Sequence, residues 1–167
     1  MELTLKPVSE ENRKTVEQLE VYPHQAGYIE SVQECMEEAD KLDAWHPMCI
    51  LDGDLLIGFT MYGIIPEPAY TRLWFDRFLI DRRYQGKGYA RPAARLILGE
   101  IKQRYPDTDI YLSVYEENQL AISLYQSLGF VFTGELDTKG EKIMCMRIIC
   151  CPNVTRFSCC PDTSPHT

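Results

Sequence analysis

The segment 83–88 has the residue types and spacing that suit the binding of an anion. Its two glycines, Gly86 and Gly88, are one residue apart and lie directly before an apolar pattern of helical period. Because glycine has no Cβ, backbone N–H groups can approach a ligand closely there. Those amides and the positive end of the following helix would bind phosphate groups, and Lys87 and Arg91 would add charge. The alternative is an ordinary strand-to-helix turn.

The same loop does not match two common nucleotide-binding motifs. A Walker loop ends in Gly-Lys followed by Ser or Thr, whereas Lys87 is followed by Gly88. A dinucleotide fingerprint requires a third glycine, which this loop lacks. The sequence therefore favours the phosphates of another kind of ligand.

Tyr125 is the candidate proton donor. It lies in an apolar stripe that predicts a helix over 118–129, with Asn118 near the start and Gly129 at the end as capping residues. Its phenol could protonate a leaving group as a general acid. The alternative is a core tyrosine whose hydroxyl bonds to a neighbour.

Several carboxylates could take a proton from a substrate amine or bind a cation. Asp76 is the first candidate for either role, because it lies in the predicted strand 73–80, just before the glycine loop. Glu116 and Glu135 are weaker candidates. For each of the three, the alternative is a solvated acid.

An acidic helix predicted over 29–42 offers a second kind of site. Apolar residues recur along it with helical spacing, and its other faces are rich in glutamate. Carboxylates along a groove, among them Glu30 and Glu34 with the nearby Tyr28, would match amines spaced along a flexible polycation. The alternative is the solvent face of an amphipathic helix.

The elements that must position these residues form a mixed α/β pattern. Alternation and turn signals predict strands over 3–8, 48–51, 55–62, 73–80, 110–115, 130–136 and 142–149. Helical periods predict helices over 9–19, capped by Ser9, over 29–42, from near Gly88 to 101, and over 118–129. The third begins near Gly88 because Pro92 must lie in its first turn.

The composition fits one globular domain. The chain has 167 residues, of which 45% are hydrophobic. Its apolar runs are shorter than the roughly 20 residues of a membrane span. Residues 1–6 lack the order of a signal peptide. We therefore expect a cytoplasmic protein that does not enter a membrane.

Charge is divided unevenly along the chain. Residues 1–70 hold 14 acids and four bases, whereas residues 77–95 hold six bases and one acid. A basic patch in an acidic body suits a small anionic ligand at one place and a cationic ligand elsewhere. It disfavours nucleic acid, which needs an extended basic surface.

The seven cysteines fall into two groups. Cys35, Cys49 and Cys145 stand among apolar residues and are predicted to be small core residues. Two adjacent pairs near the end of the chain make up the rest: Cys150, Cys151, Cys159 and Cys160. Adjacent pairs differ from the usual zinc spacing, so no metal site is predicted. We expect a domain over 1–149 and an appended tail, 150–167, outside the fold.

Two motifs together resemble the GNAT superfamily of acyl-CoA N-acetyltransferases. The family's loop has Arg or Gln, two residues, Gly, one residue, then Gly or Ala, as in 83–88. Its second motif is matched in order by Asn118, Ala121, Leu124-Tyr125 and Gly129-Phe130. The resemblance covers roughly residues 2–149. It implies the GNAT fold, a mixed and mostly antiparallel sheet of about seven strands flanked by about four helices, with acetyl-CoA as co-substrate.

The resemblance also implies roles for individual residues. Backbone groups of Phe78, Leu79 and Ile80 would bind the acetyl-pantetheine arm and polarise the thioester carbonyl. Asn118 would contact the arm from the other side, and Tyr125 would protonate the leaving thiolate. The pyrophosphate would lie on the loop and the first helical turn, at Arg83, Gln85, Gly86, Lys87, Gly88, Tyr89, Ala90 and Arg91.

Within the superfamily the chain looks most like spermine/spermidine acetyltransferases, above all over 74–81. The substrate would then be a polyamine whose primary amine attacks acetyl-CoA directly in a ternary complex. Its implied contacts are Tyr28, Glu30, Glu34, Asp76 and Glu135. Alternatives are acetylation of a protein N-terminus, a lysine or another small amine, and a CoA-binding sensor without turnover. Dimers are common in the superfamily, so a homodimer is a further expectation.

Overall fold

Seven strands form a single sheet. The structure is a computed structural model, and it describes residues 1–148. The strands are β1 (Leu3–Pro7), β2 (Trp45–Asp52), β3 (Leu55–Pro66), β4 (Thr71–Ile80), β5 (Ile110–Val114), β6 (Val131–Leu136) and β7 (Lys142–Met146). Their order in the sheet is β1-β2-β3-β4-β5-β7-β6. Neighbours are antiparallel except β4 and β5, which confirms the predicted mixed, mostly antiparallel sheet.

Four helices pack on the sheet. They are α1 (Arg13–Val16), α2 (Val32–Lys41), α3 (Ala90–Arg104) and α4 (Gln119–Ser127). α3 carries Pro92 in its first turn, as predicted. α4 begins after Asn118, whose side-chain oxygen accepts a hydrogen bond from the Ala121 amide at 3.4 Å. The predicted domain end at 149 and the tail 150–167 lie outside the described residues.

The first helix is shorter than predicted and has a different cap. α1 is one turn long, and Asn12 rather than Ser9 precedes it. The reason is local, because the Asn12 side-chain oxygen accepts a hydrogen bond from the Ser9 amide at 2.8 Å. That bond closes a turn over the residues that were expected to start the helix.

The second helix begins later than predicted. α2 starts at Val32, because Ser31 and Glu34 form a capping box in which each side chain bonds the other's backbone amide. A short 3-10 helix, Pro23–Gln25, lies ahead of it. Tyr28 and Glu30 therefore belong to the loop before α2 and not to the helix itself.

The two central strands separate along their length. β4 and β5 pair in parallel at Leu73 with Ile110 and at Trp74 with Tyr111. No further register pair joins them within residues 1–148, although β4 continues to Ile80. A cleft opens between their carboxyl ends as a result.

A β-bulge sits at the edge of this cleft. In the pairing of β3 with β4, Met61 lies opposite Arg77 and Tyr62 lies opposite Phe75, so Asp76 is an extra residue in β4. A bulge breaks the alternation of side chains and re-aims its neighbours. Here it lets Asp76 contact Arg77, which extends towards α2.

The sheet buries a core on each face. α3 and α4 cover one layer through residues such as Ile97 and Ile122, and α1 and α2 cover the other through residues such as Val16 and Met36. The predicted core cysteines are all buried and unpaired, at Cys35, Cys49 and Cys145. Burial raises the pKa of the Cys35 thiol to about 12, which fits a structural residue.

Candidate active site

The glycine loop has the backbone form that a phosphate cradle requires. Gly86 and Gly88 have φ angles of +72° and +84°, a region that residues with a Cβ rarely adopt. A Cβ added to either glycine would meet no protein atom within 4 Å, so both face open space. The first turn of α3 follows directly, so its free amides lie beside the loop.

Asp81 fixes the start of this loop through hydrogen bonds. Its buried carboxylate accepts hydrogen bonds from the Arg83 amide at 2.9 Å, Arg83 Nε at 2.7 Å and the Glu20 amide at 3.0 Å. Burial acts to raise the pKa of Asp81, but these hydrogen bonds outweigh it and lower that pKa. Arg83 therefore bonds the carboxylate that precedes the loop, and its predicted contact with the pyrophosphate stays a prediction.

A cavity of about 750 Å³ fills the cleft between β4 and β5 and reaches the glycine loop. It brings together most of the residues that sequence analysis selected. Those that line it are Tyr28, Glu30, Asp76, Phe78, Leu79, Ile80, Gln85, Gly86, Gly88, Tyr89, Ala90, Arg91, Asn118 and Tyr125.

Five of the selected residues lie outside that cavity. Arg83 bonds Asp81, and the Lys87 ammonium lies 5.4 Å from the ring centre of Tyr84. Glu34 caps α2, and Glu135 on the exposed strand β6 pairs with Arg72 at 2.9 Å. The weaker base candidate Glu116 is also outside, paired with Lys142 at 2.7 Å.

Tyr125 is held by two aromatic rings. Its ring meets Phe75 and Phe130 edge to face, at centroid distances of 6.1 Å and 5.9 Å. Burial raises the pKa of its phenol, so the group stays protonated at neutral pH. No side chain or backbone group of the described chain bonds the hydroxyl, although Tyr125 lines the cavity. Its place at the cavity is compatible with a proton donor, and that role stays a prediction.

Asp76 belongs to a cluster of charged side chains at the same cavity. It contacts the half-buried guanidinium of Arg77, which also reaches Glu30 at 3.0 Å and Glu38 at 3.3 Å. Lys139, from the turn between β6 and β7, pairs with Glu30 as well. Burial raises the pKa of Asp76 to about 6, against the opposing effect of Arg77. Asp76 can therefore exchange a proton near neutral pH.

Sequence reasoning missed the residues that β5 and β7 bring to the cavity. Ser113 and Glu141 line it, and their side chains lie 3.3 Å apart. They are 28 residues apart in the chain, so no local motif indicates that either one belongs to the site. The antiparallel pairing of Ser113 with Ile143 brings Glu141 to the cleft.

Known proteins are similar to this chain in sequence and in fold. The sequence model of the acetyltransferase (GNAT) family matches residues 11–130. The chain belongs to the GNAT acetyltransferase family. A spermine/spermidine N(1)-acetyltransferase of Bacillus subtilis strain 168 is 42% identical over 149 residues, 86% of this chain and 97% of that protein. A spermidine N(1)-acetyltransferase of Escherichia coli K12 is 40% identical over 60 residues, 36% of this chain and 32% of that protein.

A solved GNAT structure has the same architecture. It is the spermidine N-acetyltransferase of Vibrio cholerae in complex with CoA and spermine, with a TM-score of 0.67 and 26% identity. The match covers 87% of this chain and 94% of that one. The fold expected from the two sequence motifs is therefore confirmed.

The residues present in this GNAT domain fit an acyl-CoA. Two glycines at positive φ leave open space before a helix N-terminus, where pyrophosphate oxygens can meet backbone amides. The separated ends of β4 and β5 leave room between them for an extended arm. Among the described residues there is no cluster of His, Cys, Asp or Glu suited to a metal ion, and no helix that could cross a bilayer.

Proposed function

We propose that this protein transfers an acetyl group from acetyl-CoA to a primary amine of a polyamine such as spermidine or spermine. The observation that carries the proposal is one cavity with opposite characters in two of its parts. The glycine loop and Arg91 line it beyond the carboxyl end of β4, whereas Asp76, within β4, and Glu30 line it where both pair with Arg77. Such a cavity suits an anionic donor and a cationic acceptor that meet in the middle.

Bound acetyl-CoA supplies an activated thioester. The residues of this chain then bind the two substrates and transfer protons. The backbone of 78–80 lines the cavity beside β5 and can donate a hydrogen bond to the carbonyl oxygen, where negative charge develops. Asp76 accepts a proton from the substrate ammonium, directly or through a water, so that its nitrogen gains a lone pair. Tyr125 donates the proton that the departing sulfur requires.

The relatives support a polyamine as the acceptor. The Bacillus subtilis protein acts on spermine and spermidine according to its name, and this chain spans 97% of its length. The structure of the Vibrio cholerae protein contains CoA and spermine together. A protein N-terminus, a lysine or another small amine remains the second acceptor class, and an open cavity mouth would serve it.

A CoA-binding sensor without turnover is the alternative from another class. The cavity-facing Tyr125 and the carboxyl of Asp76, whose burial raises its pKa to about 6, favour an enzyme. A sensor needs neither group, because it only has to bind the cofactor.

The proposed activity can be tested by steady-state release of CoA thiol with spermine, spermidine, an aminoglycoside and a lysine peptide. Preference for the polyamines is the expected result. Turnover of another amine alone would leave a transferase with a different substrate. Binding of acetyl-CoA without turnover of any amine would favour the sensor. The cytoplasmic location and the homodimer stay predictions.

A further inference from the structure

A second cavity, of about 650 Å³, adjoins the first on the α2 side. The two cavities share part of their lining, and we call these shared residues the neck: Val21, Tyr28, Ile29, Glu30, Leu79 and Glu141. Four of the six are apolar or aromatic and two are acidic. A passage of this composition suits a chain of methylene groups that carries positive charges.

Glu141 is held in the neck by its backbone. Its amide donates to the Asp137 side chain at 2.8 Å, and its carbonyl accepts from the Asp137 amide at 2.9 Å. Its carboxylate accepts a hydrogen bond from the Ser113 hydroxyl at 3.3 Å. The side chain is therefore fixed at the junction of the two cavities.

Glu141 differs from the other carboxylates at this end of the cleft in having no cation. Glu30 is paired with both Arg77 and Lys139, and Asp76 is paired with Arg77. Within residues 1–148, no lysine or arginine forms an ion pair with Glu141. A half-buried carboxylate without a cation is costly, and an incoming ammonium would reduce that cost.

The charged groups around Glu141 add to this effect. Burial raises the pKa of Glu141 to about 7, and the neighbouring acids Asp137 and Glu30 add to the rise, while the hydrogen bond from Ser113 opposes it. Further along the second cavity, Glu34 adds negative charge, while Glu20 is paired with Arg82 at 2.9 Å. Lys139 is the nearby cation, but it is already paired with Glu30, so the acids around Glu141 favour a further cation.

Aromatic rings line the same passage. Tyr28 lies in the neck, and Tyr115 lines the second cavity beside it, with ring centroids 6.2 Å apart. Ring faces attract ammonium groups and also pack against methylenes. Together with Ile29 and Leu79, they provide the apolar wall that an alkyl spacer needs.

We propose that Glu141 binds a second ammonium group of the polyamine, while the amine to be acetylated lies beside Asp76 and Tyr125. The rest of the polyamine then extends through the neck into the second cavity. This inference rests on the proposed function and adds to it the residue that selects polyamines over monoamines. A monoamine has no second charge for Glu141 to bind.

The test compares Glu141→Gln, which keeps the shape and removes the charge, with Glu116→Gln as a matched control. Glu116 pairs with Lys142, which directly follows Glu141 in the chain. Glu116 itself lies outside both cavities. The substrates are spermidine, spermine and butylamine, and the readouts are kcat and KM for each. Calorimetry of spermine binding to the CoA complex provides a readout independent of turnover.

Glu141→Gln is expected to raise KM for spermidine and spermine, and the calorimetric Kd of spermine, about tenfold, as for a lost charge-assisted contact. Its kcat/KM for butylamine and its affinity for acetyl-CoA should stay within about twofold of those of the unaltered protein. Glu116→Gln should leave all values unchanged.

Equal losses for butylamine and the polyamines would overturn the role of Glu141, because a general defect does not depend on a second charge. Unchanged polyamine values in Glu141→Gln would also overturn it. In both cases the unaltered protein still acetylates polyamines and the proposed function stands. If the unaltered protein acetylates no polyamine, the proposed function and this inference fail together.

Discussion

Gln25 and Gln85 exchange two hydrogen bonds through their side-chain amides, at 3.0 Å and 2.9 Å. Gln85 belongs to the glycine loop, and its amide nitrogen also donates to the Ile80 carbonyl at 2.9 Å. Gln25 is the last residue of the 3-10 helix, and the loop before α2 that contains Tyr28 and Glu30 follows it. The pair therefore links the glycine loop to the segment that leads to Tyr28 and Glu30.

This pair should couple the two segments energetically. A neutral hydrogen bond contributes about 0.5–1.5 kcal/mol, so Gln25→Leu is expected to weaken acetyl-CoA binding by about 2- to 10-fold. Gln33→Leu, on the exposed side of α2, is the matched control and should change nothing. Calorimetry measures both. If Gln25→Leu and Gln85→Leu have additive effects in the double variant, the two residues are not coupled.

Tyr125→Phe should separate chemistry from binding. Removal of the phenolic proton donor is expected to lower kcat by at least about 100-fold, the usual contribution of a general acid. The affinity for acetyl-CoA should stay the same, because the ring contacts with Phe75 and Phe130 remain. Tyr105→Phe removes a hydroxyl that contacts His46 away from the cavity, and it serves as the control. Full activity of Tyr125→Phe would assign the proton to another donor.

Gly86→Ala tests the phosphate cradle against a matched glycine. Gly53, in the turn between β2 and β3, also has a positive φ of +58° and open space around it. Alanine at either position should cost about 1–2 kcal/mol of stability. Gly86→Ala alone should raise the acetyl-CoA Kd by about tenfold or more, because its methyl group would occupy the proposed phosphate site. Equal affinities in the two variants would place the cofactor elsewhere.

Asp76→Asn should remove a pH dependence. Burial raises the pKa of Asp76 to about 6, Glu38 and Glu30 add to the rise, and Arg77 and Lys139 oppose it. A base with that pKa gains its negative charge as pH rises through about 6, so kcat/KM should rise across this range. Asp76→Asn should be slow and lack this ascending limb. A profile unchanged by the substitution would identify another base.

The same pKa makes a prediction about stability. The folded state holds the proton of Asp76 more tightly than the unfolded chain, so it loses stability as pH rises from about 4 to about 6. Asp76→Asn cannot lose that proton. Its melting temperature relative to that of the unaltered protein should therefore increase between about pH 4 and pH 7. A constant difference would mean that Asp76 titrates normally in the folded state.

Local signals in the sequence predicted most of the fold. Gly86, Gly88 and Pro92 indicate a loop and the start of a helix, and Asn118 indicates the start of α4, because each constrains its own backbone. The predicted starts of the first two helices were wrong, because side chains that compete for backbone hydrogen bonds decide where each helix begins. Asn12 and the Ser31–Glu34 box each offer the backbone a different partner.

Half of the site could not be predicted in the same way. The neck residue Glu141 depends on which strand lies beside β5, and the sequence order does not reveal that β7 lies between β5 and β6. Asp76 was selected by its position ahead of the loop, but its contact with Arg77 follows from the bulge in β4. Pairing across the sheet is a long-range property, so it leaves no local pattern.

The limited pairing of β4 with β5 has a mechanical consequence. β1 to β4 form one antiparallel block and β5, β7 and β6 form another, and in the described chain Leu73–Ile110 and Trp74–Tyr111 are the register pairs that join them. At the open end, no ladder of hydrogen bonds fixes the distance between the blocks. A molecule that contacts both blocks there would bridge the gap between them and would stabilise the sheet. We therefore expect the two halves of the sheet to move less relative to each other when the cleft is occupied than when it is empty.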